Sequence, residues 1–257
     1  MSTNTTVRLI ATREEWRQER AAVGSGLRVG FVPTMGALHA GHRALLQRAR
    51  AENDWVALSV FVNPTQFNDP ADLQRYPRTL EADLAAAEGL ADAVFAPSVE
   101  EMYPDGFNYR VTEYNLSPRW EGRHRPGHFE GVLTVVLKLL NLVRPHRAYF
   151  GEKDWQQWQL VQGMAHALFL PVEIVGCPTV RDGSGLALSS RNRRLSPEGL
   201  RQAAEFPRIL RRSPDPQAAA EALRRAGLEV DYVEDYAGVR LGAVRLEGIR
   251  LIDNVRL

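Results

Sequence analysis

The sequence predicts an α/β fold: a Rossmann-like, doubly wound parallel sheet with a smaller C-terminal α+β subdomain. Three observations carry this. Short apolar, β-rich runs alternate with helical patterns through the first two-thirds of the chain. Polar, sharply individual segments follow several of those runs directly, where an open parallel sheet presents its ligands. Past Pro178 the pattern changes to helices followed by adjacent β-like runs. The domains are therefore expected over 1–178 and 179–257.

In chain order, "RVGFVPT" (28–34) reads as a strand and "GHRALLQRARAEN" (41–53) as a helix with Leu45, Leu46 and Ala49 on one side. "WVALSVFV" (55–62) is a strand ending at "NPTQF". "LEADLAAAEGL" (80–90) is helical and "ADAVFAP" (91–97) a short strand. A helix over 132–143 precedes a strand at 147–151. A helix over 154–169 precedes a strand at 171–176. Ser196 and Pro197 read as an N-cap and first helical residue. Beyond Pro207, Pro214 and Pro216 come a helix, "PQAAAEALRRAG", and three β-like runs, "LEVDYVED", "GAVRLEG" and "IRLIDNV".

With 257 residues and 44% apolar content the chain can bury a substantial core. Its formal net charge of +1 gives no whole-molecule argument for nucleic acid or an anionic membrane. One cysteine, Cys177, excludes an intramolecular disulfide and a cysteine-rich zinc site. "MSTNTTVRLIATREEW" has no apolar leader core, and "VLTVVLKLLNLV" (132–143) is too short to span a bilayer. A cytoplasmic protein is expected. Of 32 Lys plus Arg, only Lys138 and Lys153 are lysine, and coding bias does not explain those two exceptions.

Candidate chemistry follows the strands. In "PTMGALHAGH" (33–42) a helix start offers free N–H groups to phosphate. His39 and His42, three apart, can point one way and donate to a triphosphate. Gly41 lets a flat base or sugar approach the backbone. A zinc site lacks a third ligand nearby. In "YFGEKDW" (149–155) a retained Lys153 suggests a compact ammonium facing phosphate, while Asp154 reads as a helix cap or a contact. "ALSSRNRRL" (187–195) supplies hydroxyls and guanidinium, a weak signal by itself. The amides of Gln66 and Gln157 suit a small polar acid, with surface solvation as the bland account. "PRWEGRHRPGHF" (118–129) is a basic loop, better suited to an anionic ligand than to nucleic acid.

These segments, with "FVNPTQF", "YPRTLEADL", "RPGHFEGVLTVVLKLLNLVRP" and "RLIDN", resemble in order the motifs of the pantoate–β-alanine ligase (pantothenate synthetase) family, from Pro33 to Asn254. H-x-G-H alone marks only the wider nucleotidyltransferase superfamily. The resemblance implies ATP-dependent joining of pantoate to β-alanine through pantoyl adenylate, with Mg²⁺ accompanying ATP. It implies ATP contacts at Met35, Gly36, His39, His42, Gly151, Lys153, Asp154, Val180, Ser189, Ser190 and Arg191. Of these, His39, His42, Lys153, Ser189, Ser190 and Arg191 are the expected catalytic set. Gln66 and Gln157 are implied as pantoate-binding and Tyr76 as part of a mobile flap. A homodimer is implied, with no nucleic-acid or membrane partner. The chain departs from the pattern at Trp155 (usually tyrosine), Thr65 (a larger apolar residue) and Leu188 (methionine). It is also shorter between "DYVED" and "RLIDN", so a reduced lid is expected. Two other readings are separable by assay. One is another H-x-G-H nucleotidyltransferase, told apart by its acceptor; the other is an idle nucleotide- or RNA-binding module, told apart by binding without turnover.

Overall fold

The computed structural model describes residues 7–257, and nine strands organise these described residues. The first six residues of the N-terminal segment lie outside the described residues. In order they are β1 (Arg8–Ile10), β2 (Val29–Thr34), β3 (Trp55–Val60), β4 (Ala93–Phe95), β5 (Arg147–Gly151), β6 (Glu173–Cys177), β7 (Glu229–Tyr236), β8 (Val239–Leu246) and β9 (Ile249–Arg256). Between them lie α1 (Arg13–Ala22), α2 (Ala40–Glu52), α3 (Pro70–Arg75), α4 (Leu80–Ala87), α5 (Val99–Met102), α6 (Trp120–His124), α7 (His128–Val143), α8 (Trp155–Ala167), α9 (Pro197–Ala203), α10 (Glu205–Arg212) and α11 (Pro216–Arg225). The chain divides into two compact units. One takes residues up to Leu38, His42–Phe150 and Gln156–Cys177; the other takes His39–Gly41, Gly151–Trp155 and Pro178–Leu257.

In the first unit six strands form a sheet in the order β1-β4-β3-β2-β5-β6, and β1–β4, β4–β3, β3–β2 and β2–β5 all pair parallel. Alternate residues of each strand feed opposite cores. Val29, Phe31, Ala57, Phe95 and Phe150 join one, with α1, α7 and α8; Val32, Val56, Leu58, Val94 and Tyr149 join the other, with α2 and α4. A strand buried on both faces is what near-continuous apolar runs encode. Pro33 does not end β2: it pairs in register with Ser59, while the ladder to β5 reaches only Phe31. A residue without N–H is therefore tolerated there. β1 and α1 are not among the expected elements. Their signal is a capping box, in which Thr12 accepts from Glu15 N and Glu15 reaches back to Thr12 N. α1 then seats Trp16, fully buried, 5.0 Å from the Phe95 ring. No helix of the described residues is long and apolar enough to cross a membrane.

In the second unit β7, β8 and β9 form an antiparallel meander. Both connections are two-residue turns, Ala237–Gly238 and Glu247–Gly248, with positive φ at every position. That turn matches the twist of the paired strands, so two residues suffice for each connection. α9, α10 and α11 supply Ala203, Phe206, Leu210 and Leu223 to a core with Val244, Leu251 and Val255 of the sheet. Ser196 caps α9 by accepting from Gly199 N at 2.9 Å, as its sequence predicts. Arg240 is 1% exposed. It grips both oxygens of Asp235 at 2.7 and 2.9 Å and donates to the carbonyls of Leu210 and Ser213 at the end of α10.

Arg240→Leu removes one partner of a buried pair and strips donors from the last turn of α10. The expected loss is about 2–4 kcal/mol, below the upper range for such deletions because Asp235 is partly solvated. Urea denaturation followed by fluorescence checks it; an unchanged midpoint means that Arg240 is replaceable packing.

Candidate active site

In the first unit the loop after β2 is tied down by side chains. Thr34 Oγ1 donates to Ser59 O at 2.7 Å and accepts from Gly36 N at 3.1 Å. Gly36 and Ala37 both take positive φ, 79° and 51°. Beneath them lies Asp83 of α4, 2% exposed, accepting from Ala37 N at 3.1 Å and Leu38 N at 2.7 Å.

The loop after β3 builds the surroundings of Gln66. Asn63 Oδ1 accepts from Thr65 N at 3.4 Å and from the Tyr103 hydroxyl at 2.8 Å. Its Nδ2 donates to Gly131 O at 3.2 Å and to Gln66 Oε1 at 3.0 Å. A backbone N–H only donates and a carbonyl only accepts, so Asn63 has one amide orientation. That in turn orients Gln66, whose Nε2 reaches Met35 Sδ at 3.1 Å. A thioether is a weak acceptor, so Gln66 presents an N–H that a ligand oxygen satisfies better. The Gln66 carbonyl accepts from His128 Nδ1 at 2.8 Å and Arg125 Nη2 at 3.2 Å. Burial pushes the Tyr103 hydroxyl up to about 12, so it remains a donor.

The glutamine pair separates. Gln156 is buried and fully used: its Oε1 accepts from Glu121 N, and its Nε2 donates to Leu116 O and Arg119 O. Gln157, the candidate, is half-buried in α8, and its side chain makes no hydrogen bond among the described residues. Tyr76 closes α3 with its ring edge-on to Phe67, 5.6 Å between centroids. His42 lies in the first turn of α2, half-buried.

In the second unit His39 stands just before α2 rather than in it. Helical i,i+3 stacking therefore does not direct its ring. Instead Nδ1 accepts from Gly41 N at 3.1 Å. At Gly41 a Cβ would meet His39 Cε1 at 2.8 Å, so the ring of His39 is one group that comes close to this backbone. With Nδ1 accepting, the neutral ring carries its proton on Nε2. Burial, then Lys153 and Arg193, lower His39 to about 4, with Asp154 opposing. Lys153 and Asp154 lie in a 3₁₀ turn, Glu152–Asp154, with Lys153 Nζ 3.6 Å from Asp154 Oδ1. Asn254 of β9 holds that turn by donating to Glu152 O at 2.8 Å and Lys153 O at 2.9 Å. At Gly151 a Cβ would meet no atom within 4 Å, so packing does not demand the glycine.

Val180 O accepts from Leu188 N at 3.0 Å, closing the loop that leads to Ser189. Ser189 caps the 3₁₀ helix Ser190–Arg194 by accepting from Arg191 N at 3.3 Å. Arg181 grips Asp253 at 2.7 and 2.9 Å. Asp253 and Asn254 of "RLIDN" thus brace the Val180 loop and the Lys153 turn from adjacent positions of one strand. Sequence reasoning also passed over Asp83, Asn63, Tyr103, Arg125, His128 and Arg193 as individual residues. The available signals were polar residues embedded in otherwise apolar segments.

Residues 6–256 match the model of a family described as pantoate-beta-alanine ligase. The chain is 51% identical over 245 residues to a pantothenate synthetase of Bdellovibrio bacteriovorus, covering 95% of this chain and 96% of that one. It is 50% identical over 250 residues to one of Coxiella burnetii, covering 96% of each. Among solved structures, a pantoate-beta-alanine ligase of Francisella tularensis, complexed with beta-gamma ATP and beta-alanine, superposes with a TM-score of 0.93. It shares 38% identity over 97% of each chain. A pantothenate synthetase of Thermus thermophilus gives 0.89 at 46% identity, over 97% of this chain and 99% of that one.

The His39 geometry has a direct spectroscopic consequence. A ¹⁵N-imidazole titration is expected to give a midpoint near 4 and the Nε2–H form above it. The folded value lies below the ordinary 6.5, so the unfolded chain binds the extra proton between these values. His39 therefore lowers stability as pH falls through that window. A midpoint near 6.5, or an Nδ1–H form, removes the cap bond and the neutral donor together.

Proposed function

The chain belongs to the pantoate–β-alanine ligase family and is a ligase; from that premise we propose that it condenses pantoate with β-alanine at the expense of ATP, through pantoyl adenylate. A carboxylate is a poor electrophile. Attack of a pantoate carboxylate oxygen on the α-phosphorus of ATP breaks the bond to pyrophosphate and leaves a mixed anhydride. The β-alanine amine then attacks the acyl carbon, AMP departs and the amine loses its proton. No covalent bond to the protein forms, so positioning and charge stabilisation carry the catalysis.

The observation that best supports this reading is His39, held as a neutral Nε2 donor beside Lys153 and Arg193. An imidazole already neutral donates to phosphate oxygens with no proton to lose. Lys153 faces the charge that grows on the α-phosphate. His42, Ser189, Ser190 and Arg191 bind the phosphates. Met35, Gly36, Gly151, Asp154 and Val180 line the nucleotide. Gln66, whose N–H is met by the weakly accepting Met35 thioether, and Gln157 take the oxygens of pantoate, and the segment of Tyr76 covers the reactants. Among the described residues no group of three or more His, Cys, Asp or Glu is arranged to hold a metal. Mg²⁺ would be carried on the ATP phosphates, where it would supply charge neutralisation, with Asp154 a candidate carboxylate for it. The same reading takes the protein as a cytoplasmic homodimer, which light scattering on the purified chain checks.

Pantoate alone is expected to drive exchange of labelled pyrophosphate into ATP, without β-alanine. Exchange that requires β-alanine, or that runs with a phosphorylated acceptor, contradicts the reading. Lys153→Arg replaces a point charge by a planar fork. It is expected to bind ATP and pantoate nearly normally but to form the adenylate at least about a hundredfold more slowly, about 2.7 kcal/mol of barrier. Rapid-quench single turnover measures it, and a near-normal rate moves the catalytic cation elsewhere, with Arg191 the next candidate.

A further inference from the structure

We infer that Asp83 is a positioning residue for ATP: its buried carboxyl group holds the loop of Met35–Leu38 in the conformation that presents the nucleotide contacts. This rests on the reading that the loop meets ATP. Asp83 is 2% exposed and forms no ion pair among the described residues. Its oxygens instead collect three donors: Leu38 N at 2.7 Å on Oδ1, Ala37 N at 3.1 Å and the Thr79 hydroxyl at 3.3 Å on Oδ2. An acidic side chain buried without a cation is costly to keep for packing alone, and apolar residues fill such space better.

The loop needs this anchor. Ala37 has φ 51°, in the left-handed region that a Cβ disfavours by about 1–2 kcal/mol. Two consecutive amides, Ala37 N and Leu38 N, converge on the one carboxyl group because Gly36 and Ala37 are both left-handed. Gly36 also admits the carboxyl group sterically, since a Cβ on it would lie 2.8 Å from Asp83 Oδ2. Met35 and Gly36, the expected contacts, precede the anchored amides, and His39 follows them. Thr79 adds a second consequence. It lies between the Tyr76 segment and α4, so the loop and the end of the expected flap share one anchor.

Asp83→Asn tests this with nearly constant shape. An amide turns an N–H₂ toward one of the backbone N–H groups, so donor faces donor. The expected result, by calorimetry against wild type with MgATP and pantoate separately, is ATP affinity at least about tenfold weaker and pantoate affinity within about twofold. Amide hydrogen exchange at Ala37 and Leu38 should quicken in the same variant. ATP affinity unchanged, or ATP and pantoate affinities falling together with a lowered melting temperature, overturns the inference, because a merely structural residue moves both ligands alike. Failure of wild type to bind ATP overturns instead the reading on which it rests, and the inference with it. Should the asparagine variant not fold, Thr79→Val removes one of the three donors from outside the loop. It is expected to weaken ATP about two- to fivefold and leave pantoate alone; no change in ATP affinity there counts against the anchor.

Discussion

The parallel register of β2 against β3 is the constraint on which the first unit's site depends. Thr34 stands opposite Val60, so the two strands end level and release their loops side by side. The Thr34 hydroxyl seals that end by donating to Ser59 O. From this point Met35 and Gln66 need only short excursions to meet at 3.1 Å. A slip of one residue would turn Val32 and Leu58 from one core to the other. The two apolar cores thus fix the register, and the register fixes the loops. The α7 helix reinforces it: a Cβ on Gly131 would lie 2.5 Å from Thr65 O, so helix and loop are already in closest approach.

The elements that face two cores were legible in the sequence, because apolar runs between helical patterns have few other meanings. What was less legible depended on partners far away in the chain. β1 has three residues and, among the described residues, pairs with β4 alone, more than eighty positions on. The strand at 239–246 begins three residues earlier than its apolar pattern shows, because Val239 and Arg240 are recruited by the hairpin turn before them. Individual site residues show the same division. Gln156 and Gln157 are indistinguishable as letters, and only the loop of 116–121 shows that the first is consumed. Gly41 carried a correct signal, that something approaches the backbone, but the sequence does not say that His39 does so itself.

The two lysines illustrate how a compositional signal resolves. Lys138 lies on α7, where its ammonium donates to Met102 O and Asp105 Oδ1 at 3.0 Å each and sits 4.7 Å from the centre of the Tyr103 ring. Three demands on one side suit a compact, rotatable ammonium better than a planar guanidinium. Tyr103, so placed, donates to Asn63, which orients Gln66. The first exception to arginine is thus an architectural support three contacts removed from a candidate ligand group. Lys153 is held differently, through its backbone: Asn254 takes the carbonyls of residues 152 and 153, and the ammonium lies 3.6 Å from Asp154 Oδ1.

That difference bears on how the second unit organises charge. Asp253 and Asn254 are consecutive on β9, and their side chains do opposite jobs. Asp253 accepts from Arg181 and so neutralises a cation in the brace of the Val180 loop. Asn254 donates to carbonyls and adds no charge beside Lys153. Had both been acidic, the field around Lys153, already met by Asp154 Oδ1 at 3.6 Å, would be compensated further from within the protein, and an arriving anion would gain less. Arg181 is instead spent on structure, whereas Lys153 and Arg193 act on His39 strongly enough, after burial, to help keep it neutral. The cations that would repel a protonated imidazole thus add to burial in keeping His39 a neutral dipole, whose orientation the Gly41 N–H fixes.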